Sequence, residues 1–465
     1  MTDVADRLVL ILGIGESGLA MARWCARSGV RLRVADTRPS PPMRSALAAA
    51  VPEAEIVCGA FEFRLLDGVD RVALSPGIDP AEPLVVEARM RGLEVVGEMA
   101  LFAEALDALD ARANTSIVAI TGTNGKSTTT ALTAALLVGC GLDAVAAGNI
   151  SPAALAVLCD RLDDRRALPE CWVLELSSFQ LESAGAFAAD AATVLNVSDD
   201  HLDRHGSLDA YAALKARVFD GGGVQVLNCD DPLVAAMARP TSRQVGFGAG
   251  APAEGKFGLI ERDGDEWIAL GDSALVPSSA LTIAGRHNAL NAMAALALAS
   301  AVGGAMPRMI EALKAFRGLP HRVEPIACRA DGVVFYDDSK GTNVGSTIAA
   351  LAGLGRPVVL IAGGDGKGQD FAPLAEAVSA HARAAVLIGR DAPAIASALL
   401  QLHYESLRAP DLAVAVERAN ALAKRGDAVL LSPACASFDM FRNYVHRAEV
   451  FAAAVRALPG VEALR

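Results

Sequence analysis

The sequence predicts an α/β protein of three domains. Three observations carry that expectation: short apolar runs alternate with helix-length stretches along most of the 465 residues, glycine-rich loops follow strand-like runs at 13–18 and 122–128, and natural breaks fall near 110–114 and 318–320. A chain of this length also exceeds what one ordinary core organises.

The first domain is assigned to residues 1–112. Residues 8–12 are an apolar run that meets Gly13-Ile-Gly-Glu-Ser-Gly18, followed by a helical stretch to Ser28 and a strand over 31–36 that ends in Asp36. Strand, Gly-x-Gly-x-x-Gly turn, helix and acid in register make this opening Rossmann-like, which places a diphosphate at the helix start and a nucleoside near Asp36. The pattern does not separate a nicotinamide dinucleotide from a UDP-sugar. Further strand-like runs occur at 71–74 and 94–96, and Leu74-Ser-Pro-Gly-Ile78 adds a second glycine loop facing the same crevice. The segment Met1-Thr-Asp-Val-Ala-Asp-Arg7 has neither the basic start nor the apolar core of an export signal, so no export is expected.

The second domain is assigned to 113–317. The strand-like Ser116-Ile-Val-Ala-Ile-Thr121 runs into Gly122, Thr123, Asn124, Gly125, Lys126, Ser127 and Thr128, the parts of a phosphate cradle. Backbone N–H groups and the positive helix end attract phosphate oxygens, lysine adds a point charge, and the serine hydroxyl can ligate Mg²⁺. A standard P-loop has its first glycine where Ile120 stands, so this is a shorter variant, and the domain reads as a P-loop-type ATPase. Strands are expected over 172–176, 193–196 and 224–228 in a parallel, helix-covered sheet, with a few antiparallel strands over 240–280 and a long helix from about Asn288.

Within this domain Glu175 ends an apolar strand, where an acid can hold the Mg²⁺ that bridges ATP phosphates. His201, in the oxygen- and nitrogen-rich loop 196–205, suits a second metal or an ordinary hydrogen-bonded loop, and His205 suits capping or solvating the next helix. Lys215 lies in a helix whose Tyr211, Leu214, Val218 and Phe219 mark one face, and the pattern by itself favours a solvated lysine. Asn291 suits an adenine edge, and Asn288 suits either that or a helix cap.

The third domain, 318–465, alternates strands over 333–336, 357–362, 384–388 and 428–431 with helices, giving a second Rossmann-like unit. Ligands collect at carboxyl ends of parallel strands, so the loops 337–343, 363–368 and 432–437 should converge. Arg322, on the interdomain linker, suits clamping a phosphate, and Lys340, Thr342, Lys367 and Ser437 form a donor set fitting a small dicarboxylate.

A formal charge of −12 argues against a general nucleic-acid binder, which needs a basic face. The longest apolar stretch, around 292–306, is broken by serine and glycine and falls short of the roughly 18 residues of a membrane span. Eight scattered cysteines without a Cys-x-x-Cys pair read as reduced thiols of a cytoplasmic protein, not as a metal site. Nothing suggests an obligate partner, so a monomer is expected.

The short phosphate loop, together with Asp36-Thr-Arg38, Ser75-Pro-Gly77, Gly148-Asn149, Glu175-Leu-Ser-Ser-Phe-Gln180, Asp337-Asp-Ser-Lys-Gly-Thr-Asn343 and Ser432-Pro-Ala-Cys-Ala-Ser-Phe-Asp439, resembles the Mur ligase family over nearly the whole chain. The order of motifs is similar to that of members that add D-glutamate to UDP-N-acetylmuramoyl-L-alanine in peptidoglycan synthesis. The resemblance implies ATP and two Mg²⁺ ions, an acyl-phosphate intermediate, and a carbamylated Lys215 as a metal ligand beside Ser127, Glu175 and His201. It implies catalytic roles for Lys126, Glu175, His201 and Lys215. Carried over by residue, Ser17, Asp36, Thr37 and Gly77 hold the UDP part, with Asn149 and His201 near the muramoyl and alanyl end. Asn291, His321, Arg322, Asp338 and Lys340 serve ATP beside residues 122–128, while Thr342, Lys367, Ser437, Phe438 and Tyr444 surround D-glutamate. Glu16 in the first glycine loop and Tyr444 depart from common family choices, and an acid beside a diphosphate must point away or be paired.

Three rivals remain at this level: a sibling ligase with another amino acid, an NAD-dependent dehydrogenase, and a noncatalytic ATP-dependent switch. The dehydrogenase leaves the phosphate loop at 122–128 and Lys215 without a purpose.

Overall fold

The computed structural model describes residues 7–464 apart from Ala186 and Ala284, with Asp203 described by its backbone alone. Residues 1–6 of the segment judged against an export signal lie outside the described residues.

Three sheets follow one another along the chain. The first holds β1 (Leu8–Leu12), β2 (Arg31–Asp36), β3 (Glu55–Cys58), β4 (Arg71–Leu74) and β5 (Glu94–Gly97). All its pairings are parallel, in the order β3-β2-β1-β4-β5. Every residue of β1 is buried, which accounts for its unbroken apolar run. The chain crosses to the other side of β1 on going from β3 to β4, so a crevice opens at the carboxyl ends of β1 and β4, where both glycine loops lie. At Gly18 a Cβ would come within 1.9 Å of the Gly13 carbonyl oxygen, so only glycine lets the helix Glu16–Arg27 start this close to the strand end.

The second sheet holds β6 (Ser116–Thr121), β7 (Ala144–Gly148), β8 (Cys171–Glu175), β9 (Ala191–Val194), β10 (Val224–Asn228), β11 (Gln244–Phe247), β12 (Phe257–Arg262), β13 (Asp265–Leu270) and β14 (Ser273–Pro277). Its order is β14-β13-β12-β11-β10-β9-β6-β8-β7. The antiparallel strands expected over 240–280 are confined to β13 and β14, because β11 and β12 continue the parallel sheet. The reversal occurs at Asp263-Gly264, whose left-handed φ values of 55° and 78° make the tight hairpin turn that Asp-Gly favours. The helix expected from about Asn288 begins at Arg286 and ends at Ala301, and a second helix, Met306–Ala315, follows Gly303 with φ 97°. Asn288 therefore lies inside the helix, and Gly285 is its N-cap. Among the described residues no helix is long and apolar enough to cross a membrane.

The third sheet holds β15 (Glu324–Arg329), β16 (Val334–Asp337), β17 (Val358–Gly363), β18 (Ala382–Ile388), β19 (Leu407–Arg408), β20 (Ala428–Leu431) and β21 (Val461–Ala463). Its order is β19-β18-β17-β20-β16-β15-β21, parallel in the middle and antiparallel at β15 and β21. The first two sheets share one apolar cluster across their junction, with Ile14, Met21 and Phe102 joined to Leu155, Trp172 and Leu181. The third sheet has separate clusters on its two faces, which contain no buried residue from the other two.

Candidate active site

The phosphate loop leaves β6 through Gly122, with φ 146°, and enters the helix Lys126–Gly139 through Gly125, with φ 84°. A Cβ on Gly125 would sit 2.5 Å from Asn291 Oδ1, so both conformation and space demand glycine there. The β9 end braces the loop. Thr123 N donates to Asn196 O at 2.9 Å, Asn124 N to Asn196 Oδ1 at 2.8 Å, and Ser198 N to Thr123 Oγ1 at 3.0 Å.

Three lysines approach this loop. Lys126 Nζ donates to the carbonyls of Gly122 and Thr123 at 2.9 and 2.8 Å. Lys215, which its helical pattern would place in solvent, is 1% exposed. Its Nζ donates to the Gly122 carbonyl at 2.9 Å and lies 4.2 Å from the Tyr211 ring centre. Burial, then the charge of Lys126, holds the Lys215 amine well below the usual lysine range. Burial also lowers Lys126, against the pull of Glu175, and it lowers Lys340, to which Arg322 and Lys126 add. Buried Lys215 and half-buried Lys126 and Lys340 thus gather at one loop, with Glu175 as the counter-charge of Lys126 and Lys340.

Glu175, at the end of β8, is 2% exposed. Its Oε1 accepts from Asn149 Nδ2 at 2.6 Å, whereas Oε2 is buried with no hydrogen-bond partner among the described residues. A buried carboxylate oxygen left open on the strand next to the one that feeds the phosphate loop fits a hard divalent cation such as Mg²⁺. His201 sits at φ 55°, edge-on to Phe179 with ring centres 5.0 Å apart, and its Nε2 is 3.6 Å from Asp200 Oδ2. His205 does not cap the following helix, since Ser207 does. It stacks between Phe179 and Tyr211 and its Nε2 lies 3.0 Å from Ser178 Oγ.

The third domain reaches this loop directly. Arg322 Nη2 donates to Ser127 Oγ at 2.9 Å, and Arg322 Nε is buried without a partner among the described residues. A narrow cavity of about 70 Å³ between the domains is lined by Asn124, Gly125, Thr128, Asn291, Arg322 and Asp338. Asn291 Oδ1 accepts from Thr129 Oγ1 at 3.3 Å, and its amide nitrogen donates to Asn288 Oδ1 at 3.1 Å. Burial pushes Asp338 up to about 7 despite the Ser432 hydroxyl that donates to it at 2.6 Å. Next to it, His321 Nδ1 lies 2.7 Å from Asp337 Oδ2.

The crevice of the first sheet is a separate cavity of about 430 Å³ lined by Ser17, Asp36, Thr37, Gly77, Asn149 and Gln180, among others. Burial raises the Asp36 carboxyl, but hydrogen bonds from Arg38 and Ile14 N more than offset it and leave it at about 2. Both Asp36 oxygens are thereby engaged, and the outward-facing polar groups here are Thr37 and Arg38. Glu16 is exposed at this rim, in the first turn of its helix. Asn149 joins this cavity to Glu175.

The strand-end loops of the third sheet converge as expected. Ser432 bonds Asp338, Gly363 N donates to the Pro433 carbonyl at 2.8 Å, and Asp365 pairs with Ala436. The residues expected around an amino acid are not gathered in one cavity, however. Lys367 lines a space of about 600 Å³ together with Ile348 and Pro373 of the third domain and Asp200 and His201 of the second. Ser437 is 3% exposed, Phe438 is 74% exposed, and Thr342 and Tyr444 lie on the Lys340 side, Lys340 Nζ being 5.3 Å from the Tyr444 ring centre.

Sequence reasoning gave no role to two residues. Arg38 was seen only as part of a motif. Arg447 is fully buried and donates to the carbonyls of Cys435 and Ser339 at 3.1 and 2.7 Å, tying two site loops together. Its signal was an arginine in the apolar stripe Ala448, Phe451 and Val455 of the helix Tyr444–Arg456.

Comparison with known proteins places this geometry. The Mur ligase MurD-like N-terminal domain matches residues 7–97, the Mur ligase middle domain 120–299, and the Mur ligase glutamate ligase domain 321–435. The UDP-N-acetylmuramoylalanine–D-glutamate ligase of Aromatoleum aromaticum is 62% identical over 465 residues, covering 100% of both chains. That of Nitrosospira multiformis is 51% identical over 99% of this chain and 98% of its own. In structure, the UDP-N-acetylmuramate-alanine ligase MurC of Thermotoga maritima aligns with a TM-score of 0.61 at 20% identity over 97% of this chain and 99% of its own. MurF of Acinetobacter baumannii gives 0.58 at 17% identity over 95% and 92%. Three sheets in this order, a shortened phosphate loop and full-length identity to such relatives lead to one assignment: the chain belongs to the Mur ligase family, in its UDP-N-acetylmuramoylalanine–D-glutamate ligase branch.

Proposed function

We propose that this protein joins D-glutamate to UDP-N-acetylmuramoyl-L-alanine at the expense of ATP, in the synthesis of peptidoglycan precursors, acting as a monomer in the cytoplasm. The observation that carries the reading is the set of buried Lys215 and half-buried Lys126, Lys340 and Arg322 around a glycine cradle, beside the open Glu175 Oε2. Such a set binds a polyphosphate and leaves a place for a cation.

The UDP moiety would lie in the first-sheet crevice against Ser17, Thr37, Arg38 and Gly77, with Asp36 shaping the loop through its bonds to Ile14 N and Arg38. Asn149, held by Glu175, would direct the muramoyl-alanyl end towards the phosphate loop. Residues 122–128 and Lys126 would hold the ATP phosphates, while Asn291, Arg322 and Asp338 would line the nucleotide side. The alanyl carboxylate attacks the γ-phosphorus and ADP leaves, giving an acyl phosphate. The amine of D-glutamate then attacks that carbonyl, loses a proton, and the tetrahedral intermediate expels phosphate. Positioning and charge neutralisation supply most of such catalysis.

Mg²⁺, when bound, neutralises phosphate charge. Two ions would be held by Ser127, Glu175 and His201 together with Lys215 as its carbamate. Burial holds the Lys215 amine well below the usual lysine range, which favours the uncharged form that adds CO₂, and the carbamate replaces a cation with an anionic oxygen ligand. We assign D-glutamate to the region between Lys367 and the loops of Thr342, Ser437, Phe438 and Tyr444, which requires these loops of the third domain to close on one another and the third domain to move so that the bound amine reaches the phosphate loop.

The test is incubation with ATP, Mg²⁺ and UDP-N-acetylmuramoyl-L-alanine plus, separately, D-glutamate, L-glutamate, L-alanine or meso-diaminopimelate. Phosphate and amide product with D-glutamate alone are expected. Product with none of the four, or preference for another amino acid, overturns the assignment.

A further inference from the structure

Asn343 makes two hydrogen bonds of different kinds with one side chain. Its Oδ1 accepts from Ser346 N at 2.8 Å, capping the helix Val344–Gly353. Its Nδ2 donates to Asn124 Oδ1 at 3.0 Å, reaching across the domain boundary into the phosphate loop. Asn343 is 8% exposed, so this link is shielded from water.

Asn124 is otherwise fixed from its own domain. Its N–H donates to Asn196 Oδ1 at 2.8 Å and its carbonyl accepts from Asn196 Nδ2 at 3.1 Å. The approach from the third domain is close, since a Cβ on Gly345 would come within 3.0 Å of Asn124 Nδ2. A helix cap needs only an acceptor, which serine, threonine or aspartate supplies as well. Asparagine alone among the good caps also offers a side-chain donor that reaches beyond the cap, and here that donor goes to the phosphate loop.

We propose that Asn343 is a positioning residue: through Asn124 it makes the geometry of the phosphate loop depend on the third domain being seated, so that phosphoryl transfer is fast only when the amino-acid-binding domain is in place. The inference rests on the ligase reading for its kinetic arm. It concerns a residue outside the set assigned to substrates or metal.

Asn343→Ser keeps a capping oxygen but is too short to reach Asn124. In the full chain with ATP, Mg²⁺, UDP-N-acetylmuramoyl-L-alanine and D-glutamate, kcat should fall about tenfold, the loss of one shielded hydrogen bond, with Tm and the KM for the UDP substrate unchanged. In an Asn124→Ala background the same substitution should cost nothing further, because the coupling is already gone. Independently of turnover, hydrogen exchange of the segment 122–128 should be several-fold faster in Asn343→Ser. Wild-type kcat and unchanged exchange would show a cap and nothing more. Equal losses in both backgrounds would also overturn the coupling. Failure of the unmodified protein to make product would count against the ligase reading, while the exchange experiment would still decide the link between the domains.

Discussion

Lys126 and Glu175 feel one another's charge beside the phosphate loop. Lys126 spends its donors on its own loop carbonyls, and Glu175 leaves Oε2 open. Lys126→Ala and Glu175→Ala should each lower phosphate release by at least about a hundredfold, the scale of removing one group that stabilises transition-state charge. Circular dichroism should show both folded; near-wild-type turnover in either would contradict the assigned roles. Asp338 gives a pH prediction of opposite kind. Burial raises its carboxyl to about 7, from an unfolded value of about 3.9. The folded protein therefore binds the extra proton between those values, so this group's contribution to stability is present at low pH and is lost as pH rises through 7. Asp338→Asn should gain in Tm over wild type on going from pH 5.5 to pH 8, and a difference independent of pH would show that the carboxyl is not held protonated.

At the scale of elements, β7 and β8 set the spacing that lets Asn149 reach Glu175. Gly148, at φ 102°, is so close that a Cβ would stand 2.4 Å from the Glu175 carbonyl oxygen. That atom is backbone and cannot swing away, so Gly148→Ala should destabilise the protein by about 1–3 kcal/mol and loosen Asn149 from Glu175. A denaturant midpoint equal to wild type would disprove the close approach. Elements like β1 and β8 were legible because both faces are buried, which writes an unbroken apolar run into the chain. β15 was not, because Pro325 and a register shift break its pattern, and β19 is only two residues long. The phosphate loop and Glu175 were legible from residue type and strand-end position. Lys215 shares the face of Tyr211, four residues before it on the same helix, but its burial is completed by the Gly122 carbonyl 93 residues away, which residue type and local pattern do not reveal. Asn343 carried a second role for the same reason: its partner lies 219 residues away.

Over the whole molecule the junctions are unequal. The first and second domains share an apolar cluster that runs from Ile14 and Phe102 to Leu155 and Trp172, and Glu98, 1% exposed, accepts from Leu155 N across the same seam. The third domain meets the second through the hydrogen bonds of Arg322 to Ser127 and Asn343 to Asn124 and the close packing of Gly353 on Gly285, around a cavity, and its two cores are its own. Apolar junctions of this extent unfold together, whereas a few hydrogen bonds, each contributing about 1 kcal/mol, do not bind two cores into one cooperative unit. Calorimetry of the full chain without ligands should therefore resolve two transitions, one for the first two domains together and one for the third. An ATP analogue bound between the second and third domains should draw the two transitions together, because its contacts exist only while both are folded and seated. UDP-N-acetylmuramoyl-L-alanine alone should raise only the transition of the first two domains. A single transition whose calorimetric and van 't Hoff enthalpies agree in the absence of ligand would mean that the third domain is not an independent body, and that catalysis does not proceed by its movement against the other two.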